Sequence, residues 1–430
     1  MLIYFKWRDV MIYKCKNCGG DMEFDPSIGK MKCPFCDSTE SEEVSTGSEI
    51  KDGDVATEET AQELGYSAAG NLLCPNCGCE IELGKFTSAL RCPACDSNII
   101  VDSRMKGEYR PEFMTPFKID EKKAKEMIKQ KFATFKFAPR DLVSEARLKK
   151  IQGWYMPTWF YDMDTTLDYR AVGIKETRHT EGNTEVTDID SYDVNRVIDA
   201  RFDRLPVDAA NDLPDEMMDL LAPFDTRESV PYDSRYMSGF YSEQYNQTSA
   251  ELLPRAEKQV ETFGRSMCQD SAKKGPQGTY DRHSNEQMNV QYHSVIPHYG
   301  LMPVWKYDYT YKDQPYPFYI NGQTGKLVGT APVDSKRVWS FAAIVGAVAM
   351  AVAIGLSFLI DYPWIVGAVI GIIIGLITGF ANLHPAAGKV TVNAATYVAQ
   401  ENRNLRIATD GYMGRETKTR QLNNNNVNKK

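Results

Sequence analysis

The sequence predicts an α+β protein stapled by metal at its N-terminus and carrying two long apolar helices near its C-terminus. Three observations predict it. Eight of the ten cysteines sit in four Cys-x-x-Cys pairs. The middle of the chain alternates aromatic and polar positions in strand-like runs, interrupted by helical stretches. Two segments without a charged residue, 338–360 and 364–383, stand three residues apart. The 430 residues carry a net charge of −8. The charge comes in blocks: 1–105 sum to about −8, 106–152 to about +6, 153–335 to about −12 and 336–430 to about +6.

The first cysteine unit is CKNCGGDMEFDPSIGKMKCPFCDS, with Cys15, Cys18, Cys33 and Cys36. The second places Cys74, Cys77, Cys92 and Cys95 at the same spacing. The two align without a gap, including a basic residue at Lys32 and Arg91 and the closing Cys-Pro-x-Cys-Asp-Ser. Such a duplication marks one structural unit used twice. Two residues between cysteines let a tight turn aim both sulfurs at one ion. The glycines after Cys18 and Cys77 suit a backbone position with positive φ. Two turns supply four thiolates, the closed set of a structural zinc site, with no position open for catalysis. Two Zn2+ ions are therefore expected. Neither unit looks large enough for a core, so metal is expected to supply most of its folding energy, about 10–16 kcal/mol apparent per site. The alternative is scattered buried or redox cysteines, which the double alignment disfavours. Thiolate ligands also call for a reducing compartment. Cys79 is expected to pack outside the ligand set, and Cys268 to be a buried helix position. The expected boundaries are a zinc ribbon at 11–38, an acidic disordered linker at 39–72 and a second ribbon at 73–102, with Met11 opening directly into the first knuckle.

Ribbons of this kind suggest nucleic acid, but the charge does not. Affinity for phosphates comes mainly from Lys and Arg, and residues 1–105 are net acidic before the thiolates are counted. Only Phe35 and Phe86 stand near the knuckles as base platforms. A structural or protein-binding ribbon fits better.

The middle, 106–335, reads as a cytosolic α+β domain with a twisted antiparallel sheet. IDEKKAKEMIKQKF reads as a helix capped by Asp120, with Ala124, Met127, Ile128 and Phe132 on one face. MPTWFYD at 156–162 recurs as MPVWKYD at 302–308, both opening strand-like runs. A long hairpin is expected to turn at Gly182-Asn183, and PFYINGQTGKLVG reads as a hairpin around Asn321-Gly322 and Gly325. Its GQTGK lacks the full spacing of a phosphate loop. PDEMMDLL and SAELLPRAEKQVETFGRSM read as helices, the second capped by Ser249 or Thr248. No HExxH, nucleophile elbow or Walker sequence is present, and the expectation is no enzyme. His293 and His298 lie in strand context and are expected to pack or face solvent.

The span 338–383 is expected to be a transmembrane helical hairpin. Its first segment would cover about 34 Å and its second about 30 Å. Lys336 and Arg337 precede the pair and Lys389, Arg403 and Arg406 follow it, so the positive-inside rule places both termini in the cytoplasm. Ala343, Ala347, Ala351 and Gly355 form one small-residue stripe, and Gly367, Gly371, Gly375 and Gly379 another. They are expected to face each other; the alternative is a homo-oligomer or a partner's helix. No ionisable group lies in either span, which argues against transport. The tail, 384–430, is basic and polar and reads as disordered.

The two ribbons, the MPxWxYD strands, the YINGQTGKLVG hairpin and the two spans together resemble bacterial double-zinc-ribbon membrane proteins of the YdjG type, over most of 11–420. Labels such as primosomal helicase-like or TFIIB-type zinc ribbon cover only the cysteine units. The resemblance implies an anchor or scaffold in the cytoplasmic membrane, working with SPFH-domain and PspA-like proteins in envelope stress. The reading is a non-enzymatic membrane-anchored adaptor. The alternative is a membrane-tethered nucleic-acid-binding regulator.

Overall fold

The computed structural model describes residues 3–7, 10–40, 71–211, 213–275, 278–360, 364–383, 397–398 and 400–421. Residues 41–70 of the acidic linker, the 361–363 turn and the asparagine-rich end after Gln421 lie outside them. The chain is a mixed α+β structure. Its contacts group it into two units: Met1–Thr158 with Asp208–Asn246 and Tyr299–Val392, and Trp159–Val207 with Gln247–His298 and Asn393–Lys430. The span 106–335 contributes to both.

In the first unit one sheet path starts at the ribbons. It runs from the edge strand Ile3–Trp7 and Val10–Lys14 through Asn98–Val101, Thr87–Arg91 and Tyr241–Glu243 to the long strand Gln152–Glu181. Met11 stands opposite Ile100, Ile100 opposite Ala89, and Ala89 opposite Ser242. Trp154 then pairs with Tyr241 in a parallel step. Beyond lie Arg282–Tyr311 and the hairpin of Gln314–Asn321 with Leu327–Gly329. GQTGK is therefore a turn, with Gly325 at φ +78°. Asn321, fully buried, pins that turn. Its Oδ1 accepts from the Gln323 and Thr324 amides at 2.9 Å each, and its Nδ2 donates to the Leu221 and Pro223 carbonyls at 3.0 and 3.1 Å.

The helix Glu121–Ala133 starts as its sequence requires: Asp120 accepts from the Lys123 amide at 2.6 Å, and Ala124, Ile128 and Phe132 are buried. An aromatic cluster forms the centre of this unit. Phe117 stacks on Phe240 at 4.3 Å, with Tyr155 and Trp305 edge-on at 5.2 and 5.1 Å. A Cβ at Gly153 would come within 2.5 Å of the Phe240 ring, so the strand can pass only as glycine.

The helices Ser335–Ile360 and Trp364–Ala381 are long and apolar enough to cross a membrane, and most of their surface is exposed. Gly367, Gly371, Gly375 and Gly379 face the first helix as expected. The stripe expected on the first helix does not face back: Ala343, Ala347, Ala351 and Gly355 are exposed. The contacts run instead through Trp339, Ala342, Gly346, Met350 and Ala353. The reason is the closeness of glycine against glycine. Gly346 lies against Gly371 and Gly375, where an added Cβ would stand 3.0 Å from a carbonyl oxygen, and this contact sets the rotation of the helix.

In the second unit, residues 159–181 and 184–207 of the strands Gln152–Glu181 and Thr184–Asp208 form the long hairpin turning at Gly182-Asn183, with Gly182 at φ +61°. The helix Ser249–Ala272 opens with a capping box between Thr248 and Glu251, and Cys268 is fully buried on it. His293 Nε2 lies 2.8 Å from Thr166 Oγ1, and His298 Nε2 lies 3.5 Å from Asp162.

The expected disorder of the C-terminal tail is corrected here. Arg403–Gln421 is a strand, paired antiparallel with Thr184–Ala200 of its neighbour. Its charges have specific partners across the ladder. Arg196, almost fully buried, holds Asp410 through both carboxylate oxygens at 2.8 and 3.1 Å. Asp190, equally buried, accepts from Arg415 at 2.8 Å twice. A polar composition reads as disorder only when its partners, some 200 positions away, are out of view.

Candidate metal centre

All four Cys-x-x-Cys turns fold alike. The amide of the residue after the second cysteine closes back on the leading cysteine: the Gly19, Asp37, Gly78 and Asp96 amides donate to the Cys15, Cys33, Cys74 and Cys92 carbonyls at 2.8 to 3.0 Å. The residue following the second cysteine has positive φ in every case, +74° at Gly19, +71° at Gly78 and +58° at both Asp37 and Asp96. The glycines were legible from their type. The aspartates fill the same backbone position, as short polar side chains tolerate.

Within each group the four sulfurs lie within 4.8 Å of one another. Cys15 and Cys36 are 3.6 Å apart, Cys18 and Cys33 3.5 Å, Cys74 and Cys95 3.7 Å, Cys77 and Cys92 3.8 Å. A disulfide would bring sulfurs to about 2.05 Å. A tetrahedral ion with metal–sulfur bonds of about 2.3 Å separates them by about 3.8 Å. The geometry fits two sites, each able to hold a metal ion. The chain is similar to YdjG. It matches this uncharacterized protein of Bacillus subtilis (strain 168) at 29% identity over 344 residues, covering 80% of this chain and 96% of that protein. No family model and no solved structure matches the chain. A match of that length extends well past the ribbons.

Side chains around the sulfurs repeat too. Asn17 Nδ2 donates to Cys36 Sγ at 3.8 Å and Asn76 Nδ2 to Cys95 Sγ at 3.6 Å. Ser38 Oγ lies 3.2 Å from Cys36 Sγ, and Ser97 Oγ 3.3 Å from Cys95 Sγ. The Ser38 hydroxyl brings the Cys36 thiol down to about 6. At Cys95 burial works the other way, but hydrogen bonds from Ser97 and Asn76 prevail and bring it to about 6. Burial pushes Cys74 up to about 12. Each group thus contains one thiol ready to ionise and donors placed to orient it, the supporting contacts a metal site needs. The sequence showed these asparagines and serines as repeated letters without a role. Cys79 stands outside both groups, half-buried against the ribbon core, its thiol donating to the Glu80 carbonyl at 3.4 Å.

One expectation is corrected by packing. The ribbons do not lack a core; they share one. Val10 and Ile12 from the first ribbon's leading strand pack with Leu72, Leu90, Ile99 and Val101 of the second, and Cys74 and Cys92 are part of the same cluster. Lys14 Nζ donates to Asn76 Oδ1 at 3.2 Å, and Arg91 reaches Glu23 at 3.2 Å. The first ribbon is also fastened to the loop ahead of Tyr241–Glu243. The Phe24 amide donates to the Ser238 carbonyl at 2.9 Å, Tyr13 and Ser234 hydroxyls lie 2.6 Å apart, and Phe24 meets Tyr236 edge-on at 4.8 Å. Local spacing cannot show a core assembled from two segments separated by an acidic linker.

Proposed function

We propose that the chain is a non-enzymatic, membrane-anchored adaptor. Two structural zinc ions staple its ribbons, and the apolar helix pair holds it in the bacterial cytoplasmic membrane with both termini cytoplasmic. The ribbon-bearing sheet recruits protein partners, of the SPFH-domain and PspA-like kind by resemblance, in envelope stress. Zinc is the ion that a closed set of four thiolates on paired knuckles suits best. The observation carrying the adaptor reading is that both four-cysteine groups are built into the edge of a sheet in the unit that also contains the helix pair. The metal then fixes a surface instead of catalysing a reaction. That surface offers features suited to protein. Phe35 is 75% exposed at the tip of a knuckle. A cleft of about 600 Å³ beside the first ribbon is lined by Lys32, Arg91, Lys149 and Lys150 together with Glu23, Asp25, Asp120 and Glu121. Charges of both signs suit a polypeptide better than a phosphate backbone.

The test is capture by the detergent-solubilised full chain, read by mass spectrometry. SPFH-domain or PspA-like proteins should be enriched on the wild type and lost from a Phe35→Ala variant. Salt-dependent retardation of duplex DNA without any protein enrichment would replace this reading with the nucleic-acid regulator.

A further inference from the structure

The base of the helix pair contains a joint that the adaptor reading does not use. The segment following Glu121–Ala133 packs on the first turns of Ser335–Ile360. The Asp334 amide donates to the Phe137 carbonyl at 2.8 Å, Arg337 donates to the Ala138 carbonyl, and the Phe137 and Phe341 rings lie 5.4 Å apart. Lys136 Nζ stands 3.7 Å from the centroid of the Phe341 ring. We propose that this joint, with Lys131, Lys136, Arg140, Lys336 and Arg337, binds anionic phospholipid headgroups of the bilayer that the helices enter. The inference rests on the membrane reading above.

Two features point to that ligand. The first is unbalanced charge. None of the five cations has a carboxylate within ion-pair distance among the described residues. Two carboxylates of neighbouring segments are paired elsewhere, Glu145 with Lys129 at 2.6 Å and Asp141 with Arg147 at 3.3 Å, while Asp334 caps the Lys336 amide at 3.0 Å. Lys131 and Lys136 lean on aromatic faces instead, Lys131 over Phe135 at 5.9 Å. The second is depth. The uncharged stretch begins at Val338, and Phe341 lies three residues further in, about 4.5 Å along the axis. A lysine held over that ring is at headgroup level, fixed there by the helix that crosses the bilayer. Bases held at an anionic surface gain attraction that is lost with distance and salt. A soluble phosphate would have to find the joint from bulk, whereas headgroups surround it permanently.

The experiment uses the full chain in nanodiscs of phosphatidylcholine alone or with phosphatidylglycerol. Amine-reactive labelling is read by mass spectrometry at Lys131, Lys136 and Lys336, with Lys16 on the first ribbon as the internal reference. Labelling of the three should fall about fivefold with phosphatidylglycerol, the factor that ~1 kcal/mol per base represents, and recover in high salt, with Lys16 unchanged. Equal labelling in both discs, with the protein still in the disc fraction, overturns the headgroup site and leaves the anchor standing. Protection by inorganic phosphate in phosphatidylcholine discs also overturns it, in favour of a soluble anion. A protein that leaves the discs altogether overturns the membrane reading and this one with it.

Discussion

The indole Nε1 of Trp305 donates to the carbonyl of Ile119 at 2.8 Å, and Ile119 is the residue just before the Asp120 cap of the Glu121–Ala133 helix. The other MPxWxYD copy does the same in its own unit. Trp159 Nε1 donates to the Gln247 carbonyl at 3.0 Å, and Gln247 precedes the Thr248 cap of Ser249–Ala272. The tyrosine two places on also donates to a carbonyl in each copy, Tyr307 to Leu142 at 2.6 Å and Tyr161 to Ser249 at 2.7 Å. The repeat is therefore a device for fastening a helix start to a strand. Residues two apart share a face of the strand, so Trp and Tyr act together.

Replacing either tryptophan by phenylalanine keeps most of the ring and strands a carbonyl. Trp305→Phe should destabilise by about 1–3 kcal/mol, the cost of an unmet buried acceptor, and Trp159→Phe, whose acceptor is only partly buried, by less. Denaturant unfolding of the solubilised chain, followed by tyrosine and tryptophan fluorescence, measures both. No change in either variant would reduce the repeat to a packing motif.

Metal content follows the ligand geometry. Cys92→Ser removes one of the four sulfurs of the second group and should lower the metal from two ions per chain to about one. Elemental analysis of the purified protein decides it. Because Cys92 also belongs to the core shared by the ribbons, the variant should loosen Val10–Lys14 as well, seen as faster amide exchange there. Two ions retained would remove Cys92 from the ligand set.

What the sequence disclosed and what it hid divide along range. Knuckles, caps and turns depend on neighbours in the chain, so Asp120, Gly182 and the grouping of the eight cysteines were legible from residue type and spacing, and the cap of Ser249–Ala272 was narrowed to Ser249 or Thr248. The ribbon core, the capture of Arg403–Gln421 and the face of the first apolar helix depend on distant partners. Val10 meets Val101, Asp410 meets Arg196, and Gly346 meets Gly371. A small-residue stripe displaced by one position looks equally good until the partner helix is placed.

The C-terminal strand should respond to acid through Asp190. Hydrogen bonds from Arg415 hold its carboxyl below the ordinary carboxylate value. A lowered folded-state value means that the pair stabilises above the unfolded value of about 3.9 and that this contribution is lost as pH falls through the folded value. Hydrogen exchange in peptides covering 403–421 should therefore accelerate as pH drops below about 4, after correction for intrinsic rates. Asp190→Asn should exchange faster at neutral pH and show a smaller acid response. An equal response in both proteins would assign the acid sensitivity to another group.

The helix pair makes the most direct steric prediction. A Cβ at Gly371 would lie 2.5 Å from the Met350 Cβ and 2.8 Å from the Gly346 carbonyl oxygen, both on or next to backbone that cannot swing aside. Gly371→Leu should therefore force the helices apart. Ala347→Leu, on the exposed face, should leave them together because nothing in the hairpin opposes it. Spin labels at Val345 and Ile374 of the full chain in nanodiscs report the separation. It should widen measurably in Gly371→Leu and stay at the wild-type value in Ala347→Leu. The opposite pattern would restore the Ala343–Ala347–Ala351–Gly355 stripe as the inner face and rotate the first helix accordingly.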